Sequence, residues 1–456
     1  MENTIIVIDD DRDYLDIIKK GLNSAGFKNV RIEDNPLKVA SVFEGGQEFD
    51  IALIDMNMPD MDGMELLEVI KHNSPNTECI MVTAVNEARI AVECLKKGVY
   101  HYLVKPVPHA DLVLTIKRAL EKKRLLDILD IEKKTTRPQL SNPEPFKSIV
   151  TKSSSVLKVL KAAELHSGSD VPILITGESG TGKELLARAI HTASPRSGFP
   201  FTPVNMASIA GSLFDAEFFG HTRGAFTGAE KNRSGYLEHT HQGTLFLDEI
   251  GNLPLEFQGK LLRALQDGEY IKIGTNTHQK ADVRFIAATN EDLDKMIAKK
   301  KFRKDLYYRI RGGWLHLPPL RERAEDIPLL INTFLSEFSN HTGRNRIAEG
   351  AMALLMAYDY PGNIRELRSI IQASVNLAQG KPISVNLLPA QIQKQRSFLK
   401  QGQQLKSGPI IPLAQVEKSY ILKAYHHTEK NKSKTARILG IGLNTLRRKL
   451  ESYGVR

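Results

Sequence analysis

Gly177-Glu178-Ser179-Gly180-Thr181-Gly182-Lys183-Glu184 is the stretch from which the rest of the chain is read. The apolar run before it, Pro172-Ile173-Leu174-Ile175-Thr176, has the make-up of a buried strand, and Leu185-Leu186-Ala187-Arg188-Ala189-Ile190 after it reads as a helix. Strand, glycine-rich turn and a helix opening on a lysine are the parts of a phosphate-binding loop. The glycines let backbone N–H groups close around phosphate, the helix N-terminus adds partial positive charge, and Lys183 is placed to reach β- and γ-phosphates. Glu184 stands where the general pattern has a Ser or Thr for Mg2+, so the metal must be held mainly by a carboxylate elsewhere.

Gly243-Thr244-Leu245-Phe246-Leu247-Asp248-Glu249 supplies one: an apolar strand ending in two acids. Asp248 can hold Mg2+ directly or through water, and Glu249 can polarise the attacking water as a general base. Val283-Arg284-Phe285-Ile286-Ala287-Ala288-Thr289-Asn290 is a further strand, ending in an amide able to orient water. Phe302-Arg303-Lys304-Asp305-Leu306-Tyr307-Tyr308-Arg309 presents two arginines. Their fork geometry suits a neighbouring subunit's γ-phosphate, and on spacing alone it equally suits a solvated helix face. Tyr360-Pro361-Gly362-Asn363-Ile364-Arg365-Glu366-Leu367 starts a helix with Arg365 in its first turn. By composition Gly224-Ala225-Phe226-Thr227-Gly228-Ala229 is only a loop of small residues with one exposed aromatic.

Upstream, four short apolar runs each end in a chemically distinctive residue. Ile5-Ile6-Val7-Ile8 ends in Asp9-Asp10-Asp11, Ile51-Ala52-Leu53-Ile54 in Asp55, Ile80-Met81-Val82 in Thr83-Ala84, and Tyr102-Leu103-Val104 in Lys105-Pro106. Helical patterns, Tyr14 to Leu22 and Ala88 to Leu95, lie between them, which predicts a parallel sheet with helices on both faces and its ligands at the strand carboxyl ends. Acids capping helices would explain Asp9 to Asp11, but not matched Asp, Thr and Lys residues at three later strand ends. Clustered carboxylates imply Mg2+, and a nearby lysine and hydroxyl would stabilise a phosphoryl group.

The charge is uneven. Of a net +10, residues 1–124 hold 16 Lys and Arg against 21 Asp and Glu, net −5, while residues 414–456 hold 10 against 3, net +7. The basic end is the candidate for nucleic acid. There, Val416, Tyr420, Ile421 and Ala424 predict an amphipathic helix, Asn431-Lys432-Ser433 caps a second helix from Lys434 to Leu439, and Asn444 caps a third from Thr445 to Tyr453. Two short helices around Gly440-Ile441-Gly442-Leu443 make a helix-turn-helix, with Thr445, Arg447, Arg448 and Lys449 on the reading helix.

At 456 residues, 41% hydrophobic and 25% charged, two to four globular domains are expected. Met1-Glu2-Asn3-Thr4 has no basic n-region or cleavage site, and no apolar run approaches the roughly 18–20 residues that cross a bilayer, so a cytoplasmic protein without membrane partners is expected. Cys79 and Cys94 read as buried free thiols in a reducing compartment. Arg118 to Lys134, with Leu120, Leu125, Ile128, Leu129 and Ile131 interleaved, is either a solvated helix leaving the first domain or a short dimer stalk, and prolines at 138, 143 and 145 end it.

Residues 1–124 resemble a response-regulator receiver domain, on Asp9, Asp10, Asp55-Met56-Asn57-Met58-Pro59 with Gly63 beyond, and Lys105-Pro106. The resemblance implies a flavodoxin-like fold in which Asp55 takes phosphate from a sensor histidine kinase. Asp9, Asp10 and Asp55 would hold the metal with the Asn57 backbone carbonyl, and Thr83 and Tyr102 would form the switch pair beside Lys105. Residues 147–390 resemble the AAA+ domain of bacterial sigma-54 enhancer-binding activators, the NtrC type, most specifically through Gly224 to Ala229, which in that family is the mobile loop that touches sigma-54. By the same resemblance Asn205 is the switch residue communicating with Glu249, Arg303 and Arg309 are fingers acting in trans, and Asn290 and Arg365 are sensors. Shared sites imply a ring, taken as a hexamer, with an α-helical lid. Tyr360 departs from the family's usual Trp. Residues 413–456 resemble a Fis-type DNA-binding domain, and 125–146 and 391–412 are expected as linkers.

The expectation is thus a multidomain α/β plus α chain: a two-component activator whose phosphorylation at Asp55 controls an oligomeric, dimer-to-hexamer ATPase. With ATP and Mg2+ it would remodel sigma-54 RNA polymerase while bound to double-stranded enhancer DNA. A AAA+ unfoldase and a phosphorylation-controlled repressor with a vestigial ATPase are the rival readings.

Overall fold

The computed structural model describes residues 3–84, 88–133, 137–209, 211–226, 229–338, 346–393, 412–428 and 430–455. The chain divides into two compact units, Met1–Arg344 with Asp359–Asn376, and Asn345–Tyr358 with Leu377–Arg456.

The first unit holds two five-stranded parallel sheets. In the N-terminal one, β1 (Thr4–Ile8), β2 (Asn29–Glu33), β3 (Ile51–Asp55), β4 (Glu78–Thr83) and β5 (His101–Val104) lie in the order β2-β1-β3-β4-β5. The intervening helices are α1 (Arg12–Ser24), α2 (Pro36–Glu44), α3 (Gly63–Asn73) and α4 (Ala88–Lys96), and α5 (His109–Lys133) follows β5. β3 and β4 are buried throughout because helices cover both faces, which is why they read as unbroken apolar runs. β2, α2 and α3 went unread in the sequence, although Asp62 and Glu65 form a capping box at the start of α3. The helix leaving this layer is continuous from His109 to Lys133. Ile128 packs on the core of the second sheet while Leu125 and Leu129 stay exposed. Both thiols are buried and free.

The second sheet runs Gly313–His316, Ile173–Thr176, Arg284–Thr289, Thr244–Asp248, Phe201–Asn205, so the phosphate-loop strand lies beside the strand that ends just before Asn290. Asp248 pairs in register with Asn205, which places the acidic strand end beside the amide predicted to act with it.

In the second unit the tail forms helices Leu413–His427, Lys432–Leu439 and Leu443–Ser452 around Ile421, Tyr425, Ala436, Leu446 and Leu450. Two expectations are corrected. Asn444 does not cap the third helix: Gly442, in extended backbone at φ −65° and ψ 143°, is its N-cap, and Asn444 is the second helical residue. Burial of Leu446 and Leu450 sets the helix phase, and the helix starts two residues earlier than the Asn preference suggests. On the first tail helix Val416 and Tyr420 face outward, and the buried face is carried by Ile421 and Tyr425. Asn431 caps the second helix as predicted, accepting from the Lys434 N–H at 3.0 Å.

Candidate functional site

The phosphate loop joins strand Ile173–Thr176 to helix Lys183–Thr192. Lys183 is buried and donates to the carbonyls of Gly177 at 2.9 Å and Glu178 at 3.2 Å. Burial lowers its pKa, against the pull of Glu249 and Asp248. Burial raises that of Asp248, against Lys183. The Glu249 carboxylate lies 3.9 Å from Lys183 Nζ and accepts from the Asn290 backbone N–H at 3.3 Å. Glu249 itself sits in left-handed backbone, φ 54°, a conformation that costs of order 1 kcal/mol or more for a non-glycine residue and recurs at functional sites. Arg365 donates to Ser179 Oγ at 3.1 Å from the first turn of helix Asn363–Ala378. Lys183, Asp248, Glu249, Asn290 and Arg365 therefore converge on one loop, and Glu184 is turned outward, paired with Arg188 at 2.8 Å.

Asn205 sits on the neighbouring strand end, its side-chain oxygen accepting from the Ala207 N–H at 2.9 Å. Arg303 is an exposed N-cap residue paired with Asp305 at 2.7 Å, and Arg309 donates to main-chain carbonyls of another helix, Leu255–Asp267. Sequence reading placed Glu178 in the loop but missed the residues that hold that loop, Arg321, Arg323 and Asn363. Glu178 accepts from Arg321 at 2.9 and 2.6 Å and from Asn363 at 3.2 Å, and these two partners, Arg321 foremost, hold its pKa down at about 2. No sequence spacing marks contacts that span more than 140 residues.

In the N-terminal sheet, carboxylate oxygens of Asp9, Asp10 and Asp55 lie within 4.8 Å of one another, an all-oxygen set that fits Mg2+. Asp11, by contrast, caps α1, accepting from the N–H groups of Asp13 and Tyr14. Lys105 Nζ joins the buried pair, 2.6 Å from Asp9 and 2.8 Å from Asp55. Burial raises the Asp9 pKa, only partly offset by Lys105. Burial works to lower that of Lys105, but its bonds to Asp55 and Asp9 win and raise it. Asp55 Oδ2 accepts from the Asn57 N–H at 2.9 Å, which brings that residue's backbone to the site. Thr83 is fully buried at the end of β4 and Tyr102 half-buried on β5, register neighbours of Val104 and Met81.

Of the loop 224–229, Gly224, Ala225, Phe226 and Ala229 are described; Thr227 and Gly228 lie outside the described residues. The Gly224 N–H donates to Ala229 O at 2.8 Å and the Ala229 N–H to Phe226 O at 3.0 Å, closing the loop on itself. Phe226 stays 41% exposed, edge-on to His221 at 4.9 Å. In the tail, Asn444, Thr445, Arg447 and Arg448 are exposed, whereas Lys449 pairs with Glu417 of the first tail helix at 2.7 Å and is not a free cation.

Four family models match successive parts of the chain. The response regulator receiver domain matches residues 5–117, the sigma-54 interaction domain 149–316, the AAA+ ATPase lid domain 321–405 and the Fis family of bacterial regulatory proteins 412–453. The regulatory protein AtoC of Escherichia coli K12 is 38% identical over 99% of this chain and 98% of its own length. ZraR of the same strain is 40% identical over 98% of each, and NtrC of Rhizobium meliloti 35% over 99% and 97%. The crystal structure of NtrX from Brucella abortus in complex with ADP covers all of both chains at 30% identity, with a TM-score of 0.50. The central domain is accordingly a nucleotide-binding ATPase domain, and no described helix is long and apolar enough to cross a membrane. The chain belongs to the NtrC-type family of two-component response regulators and sigma-54-dependent transcriptional activators, with a C-terminal helix-turn-helix for DNA.

Proposed function

We propose that phosphorylation of Asp55 by a sensor histidine kinase controls assembly of this chain from a dimer into a hexameric ring, whose ATP hydrolysis remodels sigma-54 RNA polymerase at enhancer-bound promoters. The observation that carries the reading is the convergence of Lys183, Asp248, Glu249, Asn290 and Arg365 on one loop, in a chain that also bears the Asp9, Asp10, Asp55 and Lys105 cluster. The working division is a receiver at 1–124, a linker helix at 125–146, the ATPase at 147–390, a linker at 391–412 and the DNA-binding domain at 413–456.

In the receiver, Asp9, Asp10, Asp55 and the Asn57 carbonyl would hold Mg2+, whose charge would screen the carboxylates against an incoming phosphoryl group. Lys105 then pairs with the phosphoryl oxygens, and Thr83 and Tyr102 rearrange toward them. In the ATPase, backbone N–H groups from Gly177 to Gly182 with Lys183 bind the phosphates. Asp248 would hold the metal, which would neutralise phosphate charge, and Glu249 takes the proton from the attacking water. Asn290 orients that water through its amide, and Arg365 reads the nucleotide from the base of the lid. Asn205 relays the state of Glu249, and Arg303 and Arg309 reach the neighbouring subunit's γ-phosphate. The loop from Gly224 through Phe226 and Thr227 to Ala229 engages sigma-54. The outward apolar face of the first tail helix, Leu413, Val416 and Tyr420, supports pairing with a second copy, which would present two reading helices to double-stranded DNA. A cytoplasmic location follows from these partners.

The test is promoter opening in a purified system with sigma-54 polymerase. The parent with ATP and a small phosphodonor should open the promoter, and Glu249→Gln should bind ATP, fail to hydrolyse it and leave the promoter closed. Promoter opening without ATP, or undiminished in Glu249→Gln, would refute the motor reading.

A further inference from the structure

All five carbonyls of the phosphate loop from Gly177 to Thr181 already have donors. Lys183 Nζ serves Gly177 and Glu178, and Thr181 Oγ1 also serves Glu178 at 2.9 Å. The other three donors come from far along the chain. Asn363 Nδ2 donates to Ser179 O at 3.0 Å, the Ile364 N–H to Gly180 O at 3.0 Å, and Arg323 Nη2 to Thr181 O at 3.0 Å. In a planar trans peptide the C=O and the following N–H point in opposite directions. Holding the Ser179, Gly180 and Thr181 carbonyls from outside the loop therefore fixes the direction of the N–H groups of residues 180–182, which lie in the stretch that binds phosphate.

Asn363 is the centre of this arrangement. It is fully buried and adopts left-handed backbone, φ 52°. Both ends of its amide are used: the oxygen accepts from the Leu320 N–H at 2.7 Å, and the nitrogen donates to Ser179 O and to the Glu178 carboxylate. That carboxylate is gripped from its other side by Arg321. Close packing leaves no room to substitute another arrangement, since a Cβ at Gly180 would run into the Gly362 carbonyl.

We propose that Asn363 is a positioning residue for nucleotide: with Glu178 as its anchor, it ties the phosphate loop to the turn that opens helix Asn363–Ala378, so that the loop's N–H groups are aimed before ATP arrives. This rests on the reading of residues 177–184 as the nucleotide loop. The anchor is electrostatic in a specific sense, because it needs a donor at 363 facing an acceptor at 178.

The test uses the full chain and a fluorescent ATP analogue, with ATPase kinetics and melting temperature measured on the same samples. Asn363→Asp keeps the acceptor for Leu320 but turns a carboxylate toward Ser179 O and Glu178. Affinity should fall about ten- to a hundredfold, the range expected when a hydrogen bond to a charged group becomes a repulsion. KM should rise by a similar factor with kcat at saturation within about twofold, since ground-state and transition-state binding are lost together. Asn363→Gly, which suits the left-handed backbone, should raise KM in the same way and keeps the question open to measurement if the Asp variant folds poorly. The decisive arm is Asn363→Asp with Glu178→Gln. The new side-chain amide at 178 can donate to the introduced carboxylate, so the double variant should bind ATP more tightly than Asn363→Asp alone, although Glu178→Gln alone weakens binding. Lys183→Ala serves as the reference. If it loses nucleotide while Asn363→Asp and Asn363→Gly bind at parental affinity, or if the double variant binds no better than Asn363→Asp, the inference is overturned. If Lys183→Ala keeps parental affinity, the nucleotide-loop reading fails instead and takes the inference with it.

Discussion

The guanidinium of Arg309 donates to the main-chain carbonyl of Leu265 from Nε at 3.2 Å and from Nη2 at 3.1 Å. Leu265 belongs to the last turn of helix Leu255–Asp267, whose carbonyls have no partner within the helix. A cation there is favoured by the helix dipole. Arg303 is different, an exposed arginine whose guanidinium is paired with Asp305. The two candidate fingers should therefore separate in stability. Arg309→Ala should cost roughly 1 kcal/mol by urea unfolding, while Arg303→Ala should leave the urea midpoint at that of the parent. Both should lose ATPase activity. For a site shared between subunits, mixing Arg303→Ala with Lys183→Ala should restore part of it, because the second protomer supplies the finger that the first lacks. No recovery at any ratio, in rings shown to be mixed, would mean that Arg303 does not act in trans.

Asp55 is predicted to be the sole phosphoacceptor. Given Mg2+ and a small phosphodonor, Asp55→Asn should take up no label, whereas Asp60→Asn, altered at an exposed turn residue with φ 69°, should label as the parent does. Chelating the metal should abolish labelling of the parent, since Lys105 offsets the charge of one of three carboxylates within 4.8 Å and a divalent cation is needed for the rest as the phosphoryl group arrives. Equal labelling of the two variants would remove Asp55 from its assigned role.

His166 gives a pH prediction. Its ring is buried, and burial, aided by Arg124 and Arg284, pushes its pKa down to about 4. The unfolded chain, with an ordinary value near 6.5, binds the proton first. The stability contributed by neutral His166 is therefore complete above about pH 6.5 and is lost as pH falls toward 4. Between pH 7 and pH 5, His166→Phe should lose less stability than the parent, by about 1–2 kcal/mol. Urea titrations at the two pH values check this, and identical losses would show that His166 is not held neutral.

Residues at strand ends were legible in the sequence because parallel sheets place chemistry there by construction: Asp55, Lys105, Asp248 and Asn290 all came from that rule. The phosphate loop was legible because its chemistry is local. What escaped was long-range. Asn363, Arg321 and Arg323 act on the loop across more than 140 residues, and Lys449 meets Glu417 only because helices cross. The cap at Asn444 was misread for a different reason. Local preference favours Asn, but the tertiary burial of Leu446 and Leu450 decides where the helix starts.

Gly274 tests the link between the loop 224–229 and its neighbour. It has φ 84°, and a Cβ on it would lie 2.5 Å from Thr222 Oγ1 and 2.8 Å from the Ala225 Cβ. The Thr222 N–H donates to Ile273 O at 3.0 Å, so the two segments share one hydrogen-bonded seam. Gly274→Ala should displace residues 222–226, keep ATP hydrolysis near the parental rate and reduce promoter opening. Thr227→Ala should give the same split. If Gly274→Ala loses hydrolysis as well, the seam belongs to the nucleotide site rather than to the output loop.

The tail should divide its basic residues by job. Arg447 and Arg448 are exposed on the third helix, and Thr445 lies three residues before Arg448, on the same face. An arginine forked to guanine contributes about 1–3 kcal/mol of discrimination, whereas a phosphate contact weakens all sequences alike and lowers the salt slope by about one unit. Arg448→Ala should therefore erase preference among sites, and Arg447→Ala should weaken specific and random DNA equally while flattening the salt dependence. Lys449 is bound to Glu417 at 2.7 Å, and the prediction is that this pair persists on DNA. Lys449→Ala should leave the salt slope unchanged and instead lower the melting temperature of the tail slightly, as expected for a partly exposed ion pair worth about 0.2–1 kcal/mol. Footprinting with salt titrations on the full chain distinguishes the three. A lower salt slope in Lys449→Ala would mean that the ion pair opens on DNA. Retained site preference in Arg448→Ala would mean that the base is read elsewhere on the helix, with Asn444 and Thr445 next in line because both are exposed in its first turn.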